Sequence, residues 1–298
     1  MQYDLELTPS LWFERHLQLD PDFVRARLAS FLQEDMPQGD LTGLSTIAAD
    51  TRSEAEFVAN QPLVFAGAQI LSAAWTEQVE LQLQVNDGEA VAAGTVLARV
   101  QGPAQELLAR ERVLLNLLQR LCGIASLTRE YTQLDLPPGF RLLDTRKTTP
   151  GLRHFEKYAV AVGGGYNHRL DLSHVIMIKD NHLVAAGGIA PALDKARQAY
   201  PEKYIELEID TLDQLSEALA HGGFDALLLD NMSPATLQTA VQQVREHPLA
   251  GMQVFLEASG GITYETLPAY AWSGVNGISV GALTTQARNL DIKLEFVA

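Results

Sequence analysis

Residues 204–232 read YIELEIDTLDQLSEALAHGGFDALLLDNM. An apolar run, IELEI, gives way to a helical pattern, LDQLSEALAHG, and then to a second apolar run, ALLLD. Strand, helix and strand in that order predict parallel pairing, because the helix must carry the chain back to the end where the first strand began. The alternation continues in both directions. Upstream lie the strand-like RLLDT (141–145) and HVIMIKD (174–180) and the helical APALDKARQAY (190–200); downstream lie SPATLQTAVQQVREH (233–247), QVFLEAS (253–259) and GISVGAL (277–283). The number of units predicts an α/β barrel or near-barrel.

Each strand ends in a polar residue or a glycine. Asp144, Lys179 with Asp180, Glu208 with Asp210, Asp230, Glu257 with Ser259, and Gly281 are all placed by this reading at carboxyl ends. In a parallel barrel that is the face where ligands bind, so these residues are expected around one mouth. The glycines in LEASGGI and ISVGALT follow late strands, where backbone N–H groups commonly cradle a phosphate.

Charge singles out one stretch. From Arg141 to Asp180, seven Lys and Arg stand against four Asp and Glu, a balance of +3 in a chain whose net charge is −15. A protein acidic elsewhere and basic in one place is expected to build a focused site for a small polyanion, not a surface for nucleic acid or an anionic membrane. Arg146, Lys147, His168, Arg169 and Lys179 suit carboxylates and phosphates, the arginines through forked hydrogen bonds. Glu208 and Asp230 are hard oxygen donors for Mg²⁺ or for ribose hydroxyls. The residues therefore point to a sugar-phosphate or pyrophosphate substrate, Mg²⁺ and an acidic co-substrate, without naming a reaction. A Schiff-base lysine at position 179 is the rival chemistry.

The first third is of another kind. DPDFVRARLASFLQE (20–34) is a helix capped by Asp20 ahead of Pro21, and EAEFVA, VELQLQV and TVLARV are short strands punctuated by Asn86-Asp87-Gly88 and Gly94, with one helix near 66–76. The string DGEAVAAGTVLARVQGPA has the spacing of a carrier domain but no lysine at its tip, so it reads as hairpins on a sheet. Residues 104–132 form the longest helical pattern, with leucines on more than one face, which places it inside packed structure. Arg120 on that helix needs a partner, and a nearby glutamate is expected. Cys122, the one cysteine, reads as a packed thiol, not a nucleophile. The first residues, MQYDLELTPSLWFERHLQ, carry charges where a signal peptide needs an apolar core, and no run is long enough to span a membrane, so a cytoplasmic protein is expected.

Several motifs are longer than spacing alone would produce. DTRKTTPGLR, KYAV..GGG.NHR, IKDNH, the E-x-E-x-D of IELEID, LLLDNM and LEASGGI resemble the motif series of the quinolinate phosphoribosyltransferase family. The similarity reaches upstream through EDMPQGDLT, DG..V..G..LA and ER..LN.LQR..GIA, and downstream to LDIKL. It implies an N-terminal α/β sandwich (1–115, joined by a C-terminal tail of about 286–298) and an open α/β barrel (116–285). It implies phosphoribosyl transfer from phosphoribosyl pyrophosphate to quinolinate with decarboxylation, giving nicotinate mononucleotide, the step that feeds NAD synthesis. By the same resemblance Arg146, His168 and Arg169 bind quinolinate, and Lys147 and Lys179 lie between the two anions. Glu208 and Asp230 serve ribose and Mg²⁺, directly or through water, and Ser259, Gly260, Gly261 and Gly281 form the phosphate cradle. Arg112 is implied to reach a neighbouring subunit's site, which makes a homodimer the smallest unit. Thr285 with Gln286, His174 and Gln105 depart from the family pattern.

Overall fold

The computed structural model describes residues 13–248 and 254–297. The stretch read as lacking a signal peptide's apolar core, residues 1–18, lies mostly outside that range. Two compact units emerge, each with its own sheet.

One unit comprises residues 15–130, 148–165 and 283–297. Its helices are α1 (Pro21–Asp35), α2 (Leu41–Thr46), α3 (Ala68–Ala73), α4 (Ala104–Thr132, belonging here through Glu130) and α5 (Arg153–Val162). Its strands are β1 (Arg52–Ala59), β2 (Leu63–Val64), β3 (Glu80–Leu83), β4 (Ala90–Val91) and β5 (Val96–Pro103), with β12 (Ile292–Val297) from the end of the chain. The main sheet runs β12-β1-β5-β3 and is antiparallel throughout. The tail therefore joins the first domain as a strand, from Ala59 opposite Ile292 to Glu54 opposite Val297. Local chemistry explains the turns. Asp20 accepts from the Asp22 N–H ahead of Pro21 to start α1, and Asp87, in the turn before β4, accepts from the N–H groups of Gly67 and Ala68 at 2.7 and 3.0 Å to start α3.

Helix α4 carries the core of this unit: Leu107, Leu114, Leu118, Leu121 and Cys122 are all at most 1 % exposed. Burial pushes the Cys122 thiol up to about 12, so it stays protonated and unreactive at neutral pH. Arg120 finds the glutamate that its position required. Its guanidinium lies 3.0 Å from Glu156 Oε1 on α5 and also donates to the carbonyls of Ala287 and Thr284. Glu156, fully buried, accepts in addition from the N–H and hydroxyl of Thr149. Gly123 is where the tail passes closest, since a Cβ there would meet the Arg288 carbonyl at 1.9 Å.

The other unit comprises residues 13–14, 131–147 and 166–282 among those described. Six parallel strands, β6 (Arg141–Leu143), β7 (Ile176–Ile178), β8 (Ile205–Ile209), β9 (Ala226–Asp230), β10 (Phe255–Ser259) and β11 (Gly277–Ser279), pair in the order β6-β11-β10-β9-β8-β7. The two end strands do not pair with each other, which leaves the barrel open. Helices α6 (Asp180–Ala186), α7 (Ile189–Ala199), α8 (Leu212–His221), α9 (Pro234–Glu246) and α10 (Leu267–Ala271) follow the strands, and α11 (Ala282–Thr285) belongs to the sandwich unit from Leu283. Their starts are coded locally, by the Thr211 and Gln214 capping box for α8 and by Ser233 with Pro234 for α9.

The expected boundary between residues 115 and 116 needs correction. It falls inside α4, an unbroken helix whose contacts through Glu130 belong to the sandwich unit, and residues 148–165 return to that unit as well. No helix among the described residues is long and apolar enough to cross a membrane. The Arg120 and Glu156 pair gives a test of the sandwich unit. Arg120→Ala strands a buried carboxylate and should lower unfolding stability by about 3–5 kcal/mol, measured by urea titration.

Candidate active site

Parallel register decides which side chains share the barrel interior. Glu206 aligns with Ala226 and Met177, Glu208 with Leu228, Glu257 with Leu228, and Ser259 with Asp230. Aligned residues share a face and side chains alternate along a strand, so Glu206, Glu208, Asp230, Glu257 and Ser259 all project to one side, together with Lys179 two residues beyond Met177. Below them Phe13, Leu143, Val175, Ala226 and Phe255 make an apolar floor.

The cationic side of the mouth is built from two loops. After β6, Asp144 is fully buried and accepts from Asn167 Nδ2 at 2.7 Å and from the His168 backbone N–H at 2.8 Å. That carboxylate ties the segment carrying Arg146 to the segment carrying His168 and Arg169. Arg169 is 6 % exposed, and its guanidinium donates to the Val175 carbonyl at 3.3 Å. Burial, then the neighbouring Arg146 guanidinium, lower the Arg169 pKa. Two guanidinium groups on loops tied together in this way suit an anion that can bridge them.

Lys147 is exposed, its backbone N–H held by the Thr145 hydroxyl at 3.0 Å, and its side chain lies across Gly281, where a Cβ would approach Lys147 Cδ to 3.0 Å. Lys179 precedes α6, and its backbone N–H donates to His182 Nδ1 at 3.0 Å. Its ammonium is ion-paired with Glu208. Helix N-termini disfavour cations, so this carboxylate compensates for the position of the lysine.

On the acidic side Glu208, Asp210 and Asp230 offer oxygens that all lie within 4.8 Å of one another. Partial desolvation, then Asp230 and Asp180, raise the Asp210 carboxyl. Three hard oxygens under mutual repulsion fit a hard divalent cation such as Mg²⁺. The sequence reading had proposed Glu208 and Asp230 for this purpose; Asp210 is the addition, and its position two residues along the same strand was the available signal.

The glycine loop has two separate jobs. Gly260 has φ +90°, and a Cβ on it would stand 2.2 Å from Asn231 Oδ1 and 2.9 Å from the Asn231 backbone N. Asn231, itself at φ 53°, donates its backbone N–H to the Ser259 carbonyl at 2.9 Å. Gly260 thus lets the β9 and β10 ends interlock. Gly261, at φ +62°, has open space where its Cβ would be.

Beneath the mouth is a cluster that sequence reasoning missed. His168 Nε2 lies 3.3 Å from Oε2 of Glu206 and 3.3 Å from Oε2 of Glu257, and both carboxylates are fully buried. Glu257 therefore does not open on the mouth as its place near a strand end had suggested. The Phe13 ring packs edge-on against the imidazole at 5.4 Å. Burial opposes charge on the ring, but Glu257 and Glu206 outweigh it and push the His168 pKa up to about 9. Local geometry pulls the other way, because His168 Nδ1 accepts the Arg169 backbone N–H at 2.8 Å. A ring protonated at both nitrogens would set two N–H groups against each other, so the short contact decides for the Nε2–H form. Glu206, raised by burial and then by Glu257, is the group best able to take up a further proton. The same contact argues against a metal here: coordination through Nε2 would leave the proton on Nδ1, facing an N–H.

Arg112 belongs to the sandwich unit. Its side chain on α4 is 61 % exposed, 3.9 Å from Glu111.

The chain matches the N-terminal domain of quinolinate phosphoribosyl transferase over residues 40–122 and the C-terminal domain over residues 124–295. It belongs to the quinolinate phosphoribosyl transferase family. Among curated relatives, a probable nicotinate-nucleotide pyrophosphorylase [carboxylating] of Bacillus subtilis is 46 % identical over 284 residues, 94 % of each chain. The nicotinate-nucleotide pyrophosphorylase [carboxylating] of Mycobacterium leprae is 39 % identical over 280 residues, 92 % of this chain and 97 % of its own. Among solved structures, the nicotinate-nucleotide pyrophosphorylase of Francisella tularensis superposes with a TM-score of 0.85 at 33 % identity, covering 94 % of this chain and 98 % of that one. The sandwich and open barrel expected from the motifs are thus the architecture of the family.

The interlocked loops supply a prediction. Gly260→Ala meets both a strained φ and a backbone atom and should cost about 1–3 kcal/mol in thermal unfolding, more than Gly261→Ala, which meets strain alone.

Proposed function

We propose that the protein transfers the phosphoribosyl group of phosphoribosyl pyrophosphate to the ring nitrogen of quinolinate with loss of the ring 2-carboxylate, giving nicotinate mononucleotide, pyrophosphate and CO₂. The observation that carries this reading is the set of groups at the strand ends, where Asp144 ties the loop carrying Arg146 to the segment carrying His168 and Arg169, and where Glu208, Asp210 and Asp230 gather their oxygens. A dicarboxylate answers the first group. A ribose pyrophosphate with its cation answers the second.

In this reading Arg146, His168 and Arg169 form the quinolinate side, with Arg146 and Arg169 engaging carboxylates. Lys147 and Lys179 stand between the two anions, and backbone N–H groups of Ser259, Gly260, Gly261 and Gly281 receive the 5-phosphate. Glu208, Asp210 and Asp230 would hold Mg²⁺, directly or through water, and its charge would offset that of the departing pyrophosphate. The lone pair of the ring nitrogen forms the new bond to the ribose anomeric carbon as the bond to pyrophosphate breaks. Positive charge builds on the ribose at that moment, and the fixed carboxylates of Glu208 and Asp230 favour it. The ribosylated nitrogen is then cationic and stabilises the carbanion left at ring C2 when CO₂ departs; that carbanion takes a proton from solvent to complete the product. No side chain has to act as a general base. Until ligands arrive, the Lys179 and Glu208 pair keeps each charge compensated, and that pairing is the opposite of the cation-flanked setting a Schiff-base lysine needs.

Arg112, exposed on α4, is available to a second copy of the chain, and a homodimer in which it completes the partner's carboxylate site is part of the proposal. So is a cytoplasmic location. The net charge of −15 leaves no role for nucleic acid.

Mixing the protein with quinolinate, phosphoribosyl pyrophosphate and Mg²⁺ should release pyrophosphate and CO₂ in equal amounts, and nicotinate should not replace quinolinate. Pyrophosphate without CO₂ would make the acceptor a different acid. Arg146→Ala should weaken quinolinate binding roughly 10- to 100-fold, the worth of a charge-assisted contact, and leave phosphoribosyl pyrophosphate within about 3-fold by calorimetry. Equal loss of both would remove Arg146 from the carboxylate site.

A further inference from the structure

The fully buried carboxylates of Glu206 and Glu257 have no place in the reaction as described, and nothing in the motif reading uses them. Two charges under a barrel mouth are an expensive way to fill space, since an apolar pair of similar volume would be at least as stable. None of their four oxygens makes a full hydrogen bond among the described residues, and what they face is the Nε2 edge of His168 at 3.3 Å.

We propose that Glu206 and Glu257 are positioning residues that fix the tautomer of His168, and that His168 in turn fixes the backbone of Arg169 in the carboxylate site. The proposal rests on the assignment of Arg169 to quinolinate made above.

The argument runs through donors and acceptors. An ionised carboxylate can only accept, so a single ionised carboxylate on the Nε2 edge is enough to require a proton on that nitrogen. A neutral ring with its proton on Nε2 leaves a lone pair on Nδ1, and that lone pair receives the Arg169 backbone N–H at 2.8 Å. With the opposite tautomer, Nδ1–H would meet Arg169 N–H and push the loop outward. Phe13 packs against the ring's edge and Asp144 accepts from the His168 backbone N–H; neither contact chooses a tautomer. Arg169, facing Arg146 and Asp171 as well as Glu206, is the charged group across which a loop shift would be felt. The barrel strands β8 and β10 thereby dictate, through one imidazole, where a guanidinium sits in the mouth. His168 is on this account a positioning residue too, one step closer to the ligand.

A carboxamide breaks this logic while preserving shape, because its NH₂ can donate to Nε2 and accept the opposite tautomer. Glu257→Gln, and Glu206→Gln combined with Glu257→Gln, are therefore the variants to make, with Glu257→Asp as the conservative control. Steady-state kinetics should show KM for quinolinate rising by about 10-fold or more in the double variant, KM for phosphoribosyl pyrophosphate unchanged, and the aspartate variant nearer to the parent, as expected for a displaced binding group. A uniform fall in kcat with both KM values unmoved would overturn the proposal. Ring ¹⁵N shifts of histidine-labelled unmodified protein, with His168→Gln to assign the signal, give a readout independent of any substrate and of whether the variants fold. A pyridine-like Nδ1 and a pyrrole-like Nε2 at neutral pH are expected, whereas an imidazolium, or the opposite tautomer, sinks the positioning scheme. If the tautomer is as expected but the unmodified protein does not turn over quinolinate, the functional reading fails and the His168 arrangement stands.

Discussion

Two guanidinium groups that repel each other are the constraint on which the barrel unit turns. Arg146 and Arg169 come from loops more than twenty residues apart. The cost is met by the frame around them: Asp144 ties both loops, Val175 takes one guanidinium N–H, and the buried face of β8 supplies Glu206 as a compensating charge. A site that holds like charges in fixed positions before its ligand arrives does not have to rearrange when it binds. The acidic triad of Glu208, Asp210 and Asp230 gathers charge of the opposite sign at the ends of β8 and β9. The two halves then need partners of opposite charge, an acid and a cation-bound pyrophosphate.

The sandwich unit solves a different problem, that of joining pieces far apart in sequence. Its sheet needs β12 from the end of the chain, and α4 needs α5, which the chain supplies only after the first barrel strand. Buried polar bonds specify those returns. Glu156 is satisfied by Arg120 and Thr149, Arg120 in turn also needs the Thr284 and Ala287 carbonyls, and Gly123 leaves room for a chain passing where Arg288 passes. Directional bonds of this kind exclude alternative packings that leucine contacts would tolerate.

Much of this was legible in advance. Each barrel strand was visible as an apolar run ending in a polar residue, because a parallel strand is buried on both faces and the chemistry collects where it ends. The cap at Asp20 was readable for a local reason, a side chain that completes a helix end. What escaped was orientation. Within IELEI and FLEAS a glutamate looks alike whether it faces the mouth, the core or a helix, since a strand buried on both sides shows no alternation. Glu257 was placed at the mouth on that account, and Glu206 was passed over. The division at residue 115 missed for a related reason: a helix apolar on several faces does not announce which neighbours cover them.

Sequence by itself determined the order of elements, the parallel barrel, the concentration of positive charge within 141–180, and the family to which the chain belongs. These follow from local periodicity, capping and motif content, which do not depend on what is packed against them. Tertiary structure alone decided that Glu206 and Glu257 meet at one imidazole, that Asp210 joins Glu208 and Asp230, that Gly260 serves Asn231, and that α4 belongs to the sandwich unit through Glu130. Each depends on strand register or on contacts between distant segments, and those are set only when the sheet closes up and buried groups must find partners.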